Sequence, residues 1–444
     1  MKLLPNILSP RQHEAVEKLV SPRGGIVWWK VGEGKTRIAI AWFLRICEES
    51  PVPTGYCLIV CRRKSFQDWY DEIKRVCPDA QVFTDEAPRI PPTGRYAFLL
   101  ISDGKLVTLQ TKCPIKAVVL DEGWLYANPT SQRSKVAQQL TESRPSLLLS
   151  GTMMKARDLL ELYAQAKAVN KHHHVARSIT QFRTKYQIVQ NTFGFPTYHP
   201  KAGSKAKVVE ALSDVIDVHF PESTREIRNQ FHNIEPTKQQ LELFDELQES
   251  FSATIGGDEH EFNNALTTIV KAQQIANGWF LDPDGRIHSV ETNKVAKLQD
   301  ELDSIVGAGE KCIVWCAFRH DVKMLASALP FATVQMLGGE KFDTDKWNRP
   351  DVKVCLASQA SGSAVNHFSQ TPYALYFSAN FKWKDMQQSR GRTERKSSRH
   401  TTCYYKYLQV VDSFDSHVYQ TALGSGDDES SLISLVNSLK NWLK

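Results

Sequence analysis

Short apolar runs that do not alternate with polar residues recur along this 444-residue chain, each followed by a helical pattern. That rhythm limits the fold more than any other feature. A strand buried on both faces is apolar at every position, whereas a half-exposed strand alternates. Ile26–Trp29, Tyr56–Cys61, Tyr96–Ser102, Ala117–Asp121 and Ser146–Ser150 are runs of the first kind. Helical patterns at Thr36–Cys47 and Ser65–Cys77 separate the earlier ones. Strands alternating with helices predict a parallel sheet, with ligands at the carboxyl ends of its strands. The rhythm pauses near residue 166 and returns at Lys294. Beyond it Val295–Val306, His320–Leu329 and Trp383–Arg392 read as helices. Lys311–Ala317, Thr333–Met336, Val354–Ala357, Ala374–Phe377 and Thr401–Leu408 read as strands.

The expected fold class is therefore α/β, with two parallel-sheet lobes and a mainly helical or irregular insertion between them. The expected boundaries are 1–165 for the first lobe, 166–293 for the insertion, 294–424 for the second lobe and 425–444 for a C-terminal helix. Inside the insertion Thr237–Ser252 reads as helix, and Asn191–Ser204 and Gly256–Glu259 as loops. In the tail Leu432, Leu435, Val436, Leu439 and Leu443 recur at helical spacing, which suits a packing helix or, alternatively, a partner-binding one.

Composition excludes some classes of function. No run is long and apolar enough to span a bilayer, and MKLLPNILSPRQ has no signal-peptide core. No membrane partner and a cytoplasmic location are expected. The formal net charge of +6 permits nucleic-acid binding without demonstrating it. The nine cysteines are scattered. Cys57/Cys61 and Cys312/Cys316 lie inside predicted strands, where four residues span roughly 13 Å, too far for one zinc. Buried thiols in a reducing compartment are expected. His172, His173 and His174 read as a solvated loop rather than a metal site.

Three segments carry chemistry. VGEGKT, Val31–Thr36, follows an apolar run and opens a helix. A glycine loop there wraps backbone N–H groups around phosphate, with the helix N-terminus adding a favourable field. Gly32, Glu33 and Gly34 form the cradle, Lys35 reaches the β- and γ-phosphates, and Thr36 ligates Mg²⁺. The first glycine of the usual GxxxxGK[ST] pattern is absent, because Trp29 occupies it. AVVLDEGW, Ala117–Trp124, follows about 85 residues later and delivers two carboxylates at a strand end. Asp121 is placed to hold Mg²⁺ and Glu122 to polarise an attacking water. QQSRGRTER, Gln387–Arg395, lies in the second α/β section. On a helix Arg392 and Arg395 share a face, and two guanidiniums there could stabilise charge on a γ-phosphate. A solvated basic helix end is the alternative.

With these segments in hand the chain resembles helicase superfamily two, most closely its Swi/Snf-type branch of double-strand DNA translocases, in a compact form similar to phage-encoded helicases. LSPRQHEAV resembles the opening segment and KVGEGKT resembles MGLGKT, where the first Walker glycine is also missing. CLIVCRRKSFQDWYDEI resembles LIVCPxSLLxQWxxE, with Trp69 and Glu72 in register. DEGWLYANPTSQRSK resembles DEGHxIKNxxSxxxK, including Asn128 and Ser131. LLLSGTMMKARDLLELYA resembles LLLTGTPxxNxxxELxx. In the second half, KCIVWCAFRHDVKML resembles the strand and helix that open that lobe. ASQASGSAVNHFSQTPYALYFSANFKW is similar to TxAGGxGxNLxxAxxVxxxDxxWN, and QSRGRTER matches QxxGRxxR. Departures are Trp124 for the usual His, Arg62 and Met153 for prolines, and a compact region between the lobes.

The resemblance implies two RecA-like lobes, ATP and Mg²⁺ as cofactors, and DNA as the sequence-tolerant track, duplex or branched. It places Gln12 near the adenine and Gln388 at the nucleotide. Ser150, Gly151 and Thr152 would link the ATP site to the track. Ser102, Ser358, Gly362 and Asn366 would contact or couple to phosphates. Arg62, Arg63 and Lys64 are either part of that surface or a solvated cluster, and Trp383 either stacks bases or packs in the core. A monomer is expected, with replication or recombination proteins as partners. An RNA-directed ATPase of the same superfamily and a nucleotide-gated binding module with little turnover stay open as alternatives.

Overall fold

In the computed structural model the predicted apolar runs become strands of two parallel sheets. The structure describes the chain except residues 1–6, 21–23, 50–54, 86–91, 93, 110–113, 152–158, 193–194, 222–224, 253–258, 338–341, 360–366, 395–397, 399, 425–434, 436–437, 440–441 and 443–444. Two units emerge, Met1–Glu222 and Ser223–Lys444.

The first unit carries β1 (Gly24–Trp29), β2 (Tyr56–Cys61), β3 (Gln81–Thr84), β4 (Ala97–Ser102), β5 (Ile115–Leu120), β6 (Ser146–Ser150), β7 (Gln187–Thr192), β8 (Phe195–Pro200) and β9 (Ile216–His219). Seven of these form one sheet in the order β3-β4-β2-β5-β6-β1-β9, while β7 and β8 pair as an antiparallel hairpin. The seven run parallel. Alternate residues of one strand feed opposite faces. Ile26 and Trp28 of β1 join Leu58, Leu120 and Leu148 on one face. Val27 and Trp29 join Ile59, Val119 and Leu149 on the other, against Leu19, Trp42 and Trp69 of the covering helices. Each large apolar side chain buried in this way contributes about 1.5–3 kcal/mol.

The second unit carries β10 (Glu226–Ile234), the hairpin β11 (Trp279–Leu281) and β12 (Ile287–Ser289), β13 (Cys312–Cys316), β14 (Thr333–Met336), β15 (Val354–Ser358), β16 (Tyr373–Tyr376) and β17 (Thr402–Val410). Its sheet runs β10-β17-β16-β13-β15-β14, again all parallel. The expected class of two RecA-like parallel-sheet lobes is met. Leu435 and Leu439 of the tail are buried in this unit's core, as a packing helix requires.

A buried polar cluster braces the second unit. The Lys294 ammonium donates to Asp415 Oδ2 at 2.6 Å and Asn277 Oδ1 at 3.0 Å. Asp321 accepts from Asn277 Nδ2 (3.1 Å), Trp279 Nε1 (2.7 Å) and Ser378 Oγ (2.6 Å). Desolvation raises the Asp321 carboxyl to about 6 even with these donors.

Residues 166–293 are shared between the two units. β9 adds to the first sheet beside β1, and β10 adds to the second beside β17. Glu226, Arg228, Gln230 and Phe231 of β10 are exposed, so this edge strand has no continuous apolar run to announce it. The stretch Asn191–Ser204, expected as loop, holds β8 and the start of the helix Ser204–Ala211. Of Gly256–Glu259 only Glu259 is described, and it opens the helix Glu259–Asn277. The histidine run also differs from expectation. His173 is buried, with Nε2 3.1 Å from Asp214 Oδ1 and Nδ1 accepting from the Val175 N–H. It pins a turn. Among the described residues no three or more His, Cys, Asp or Glu side chains gather as a metal site, every cysteine is buried, and no helix is long and apolar enough to cross a membrane.

Candidate nucleotide site

The carboxyl ends of β1, β5 and β6 lie side by side in the first sheet. After Trp29 the chain turns through Lys30–Gly34 into the helix Lys35–Glu49. Gly32 and Gly34 take φ of 89° and 85°, where an L side chain is strained. A Cβ on Gly34 would also sit 2.4 Å from Gln12 Nε2. N–H groups at the very start of a helix lack intrahelical acceptors, which is what a phosphate uses; here bonding to Gly34 O begins at the Arg37 N–H. Lys35 Nζ donates to the carbonyls of Trp29 (3.0 Å) and Lys30 (3.1 Å), and Thr36 stands in the first turn, partly exposed.

The acidic pair reaches the same place from β5. Asp121 Oδ2 accepts from Trp69 Nε1 at 3.1 Å, and its Oδ1 accepts from the Glu122 N–H at 2.9 Å. Burial and the neighbouring Glu122 push Asp121 up to about 6, while Lys35 pulls it down. Glu122 adopts left-handed backbone (φ 57°), a conformation that costs a non-glycine residue on the order of 1 kcal/mol. The Trp124 indole N–H donates to Glu122 Oε2 at 2.8 Å, and the Arg62 guanidinium lies 4.9 Å from the Trp124 ring. A Cβ on Gly123 would lie 2.6 Å from Leu148 Cδ2 and 3.1 Å from Ser150 Cβ, so a side chain there requires Leu148 to shift.

From β6, Ser150 is buried, and a Cβ on Gly151 would lie 2.9 Å from Val31 and 3.1 Å from Lys35 Nζ. So Lys35, Asp121, Glu122, Ser150 and Gly151 share one end of one sheet. Gln12 joins them. Its Nε2 donates to Glu33 O (3.1 Å) and its Oε1 accepts from the Ser9 N–H (2.9 Å). Thr152 lies outside the described residues.

Trp69 and Glu72 stand in register in one of the motifs, but their partners, like the contacts of β9, are not given by it. Trp69 tethers Asp121, and Glu72 accepts from Arg37 Nε of the loop's helix at 2.6 Å. β9 flanks the loop. Its Asp217 accepts from Trp29 Nε1 (2.6 Å) and Arg11 Nη2 (2.7 Å), and His219 lies 3.6 Å from Glu33. Only a polar residue inside an apolar strand, at Asp217, hinted at this. Asn128 and Ser131 serve local structure: Ser131 caps the helix Gln132–Thr141, and Asn128 closes a turn onto Thr130.

Ser102 ends β4, next to Asp103, which lies 3.9 Å from Arg62 and 3.4 Å from Arg133. Arg63 pairs with Asp85 at 2.7 Å and Lys64 is exposed. The cluster at Arg62–Lys64 is therefore partly paired rather than simply solvated.

In the second unit the helix Trp383–Arg390 stops two residues before the expected Arg392, where Gly391 donates its N–H to Gln387 O. Arg392 lies in the following turn and is buried, which is not the geometry of a solvated helix end. Gln388 is buried on the helix and Ser358, buried, ends β15. Trp383 opens that helix partly buried. Arg390 anchors the segment, 4.4 Å over the Tyr405 ring and bonded to the Tyr407 hydroxyl at 3.3 Å. Arg395, Gly362 and Asn366 lie outside the described residues.

The first unit's donors suit a hard divalent cation, since Asp121 and Thr36 offer oxygen ligands of the kind Mg²⁺ takes. No family model matches the chain, and no curated protein matches it. Among solved structures it is similar to the SWI2/SNF2 ATPase core of Sulfolobus solfataricus in complex with dsDNA, at 16% identity over 94% of each chain, with a TM-score of 0.43.

Proposed function

We propose that this chain is an ATP-driven motor of the superfamily-two, Swi/Snf-like kind that moves along duplex or branched DNA. One observation supports it above the others: a positive-φ glycine loop with Lys35, the Asp121–Glu122 pair and Gly151 meet at one sheet end. That is the equipment for phosphoryl transfer to water. Backbone N–H groups at Gly32–Thr36 hold phosphate oxygens, and Lys35 exchanges two backbone carbonyls for them. Thr36 and Asp121 hold Mg²⁺, which when bound supplies positive charge to the phosphates. Glu122 orients and deprotonates the attacking water, with Trp124 fixing its carboxylate. Gln12 contacts the base and Gln388 the nucleotide. Arg392 and Arg395 neutralise charge that develops on the γ-phosphate. Ser102, Ser150, Gly151, Thr152, Ser358, Gly362 and Asn366 couple turnover to the DNA backbone. Lobes 1–165 and 294–424 are the moving parts. A monomer acting in the cytoplasm on replication, repair or recombination intermediates completes the reading.

ATP turnover measured with duplex DNA, single-stranded DNA and RNA tests this. Strand separation on linear, forked and four-way substrates extends the test. Duplex or branched DNA should stimulate turnover most. Stimulation by RNA alone would transfer the reading to an RNA-directed ATPase. Tight ATP binding with no turnover would reduce the protein to a binding module.

A further inference from the structure

The chain's positive charge is concentrated in one place. Overall it has 55 basic and 49 acidic residues. Between Leu162 and Val209 there are eight basic residues and no acidic one, which leaves 47 basic against 49 acidic elsewhere. The net positive charge of the molecule therefore resides in this segment.

The segment folds as a module of the first unit: helix Ile179–Tyr186, the β7–β8 hairpin and helix Ser204–Ala211. Its inner side is apolar and fixed. Phe182, Tyr186, Val208 and Leu212 are buried in the cluster that contains Trp28 of the sheet. Phe182 packs 5.2 Å from Tyr163 and 5.1 Å from Tyr186. Its outer side is basic. Lys185, Lys201, Lys205 and Lys207 are exposed. Lys201 Nζ donates to Thr184 O at 2.6 Å and its N–H to Tyr186 O at 2.9 Å, which holds the start of the second helix against the end of the first. Arg183 lies 3.8 Å over the Tyr198 ring of the hairpin. The module's ion pairs engage Lys171 with Glu142 and His173 with Asp214. Among the described residues none joins a carboxylate to Arg183, Lys185, Lys201, Lys205 or Lys207. Ile188 and Val189 of β7 are 44% and 59% exposed beside these cations. Like charges at this density repel one another, so their charge works against the fold even where, as at Lys201, the side chain braces it. A regularly spaced polyanion would neutralise them.

We propose that this hairpin module is a docking surface for duplex DNA. Lys185, Lys205 and Lys207 engage backbone phosphates, and the Ile188–Val189 edge meets the sugar and base edges of a groove. A two-stranded ribbon is narrow enough to enter the major groove. The proposal rests on the motor reading above and names where its track is held.

The test is binding of a short fluorescein-labelled duplex, followed by anisotropy across a salt series. The full-length triple variant Lys185→Gln, Lys205→Gln, Lys207→Gln is compared with Lys238→Gln, Lys323→Gln, Lys346→Gln. The second triple removes equal charge from exposed lysines elsewhere. The module triple should lose about tenfold in affinity or more, and its log K against log salt slope should fall by about two to three. The arginine triple at the same three positions should restore both, and equal thermal melting should show that each variant is folded. Equal weakening by the two glutamine triples, or an unchanged slope in the module triple, overturns the proposal. A wild-type protein that binds no duplex overturns the motor reading with it. Wild-type binding that the module triple leaves intact overturns the docking surface alone.

Discussion

Asp121 directly follows β5, Asp321 lies in the first turn of the helix Arg319–Ala328 that follows β13, and burial pushes both up to about 6. Their surroundings differ. Asp321 is saturated by three side-chain donors that belong to the unit's own framework. Asp121 accepts one indole and one backbone N–H, feels a second carboxylate beside it, and lies in the field of Lys35. The lysines repeat the contrast. Lys294 is fully buried on Asp415 and Asn277, while Lys35 rests on backbone carbonyls at the mouth of a glycine loop. One frame thus supports two uses of the same residue types. In the second unit the charges bind each other, and in the first they are held ready for something else.

The largest test of that contrast exchanges each lysine for alanine. Lys294→Ala strands a buried Asp415 carboxylate and should cost about 3–5 kcal/mol in denaturant unfolding. Lys35→Ala should change unfolding by less than about 1 kcal/mol. Its ATP turnover should fall about 10²–10³-fold in a steady-state assay.

The aspartates give a second contrast, read through pH. Asp321 holds its proton more tightly folded than unfolded, at about 6 against an ordinary 3.8. Stability from that group is present below the unfolded value and lost as pH rises through the folded one. Asp321→Asn should flatten the stability curve between those values by on the order of 3 kcal/mol. Asp121→Asn should instead remove the Mg²⁺ dependence of turnover, measured by metal titration.

Trp124→Phe keeps the ring under Arg62 and removes the donor to Glu122. Turnover should fall roughly tenfold with little change in ATP affinity, because a poorly oriented base slows chemistry and not binding. The smallest contrast lies in two glycines of similar φ. Gly309→Ala has open space around its Cβ and should cost about 1 kcal/mol of stability through backbone strain. Gly34→Ala would drive a methyl into Gln12, and its effect should appear in nucleotide binding by titration.

Much of this was legible in the chain. The doubly buried strands announce themselves as unbroken apolar runs, and VGEGKT and DEGW mark the ends of two of them. What escaped prediction lacked such a signal. β9 is four residues long with an aspartate inside it, and β10 is an edge strand with no continuous apolar run. The roles of Trp69 and Asp217 depend on partners 52 and 188 residues away, which spacing along a chain does not encode. Helix propensity carried the reading of Trp383–Arg392 past Gly391, where the helix stops. The stretch Asn191–Ser204 reads as loop because apolar positions around it alternate between a helix period and a hairpin period within 50 residues.

Whether turnover is converted to movement is decided by displacing a third strand from a triplex by travel along the adjoining duplex. The wild-type protein with Mg²⁺ and ATP should release that strand. Neither a non-hydrolysable ATP analogue nor the Glu122→Gln variant should do so. Release that is unaffected by Glu122→Gln, or brisk DNA-stimulated hydrolysis with the third strand left in place, would contradict the account.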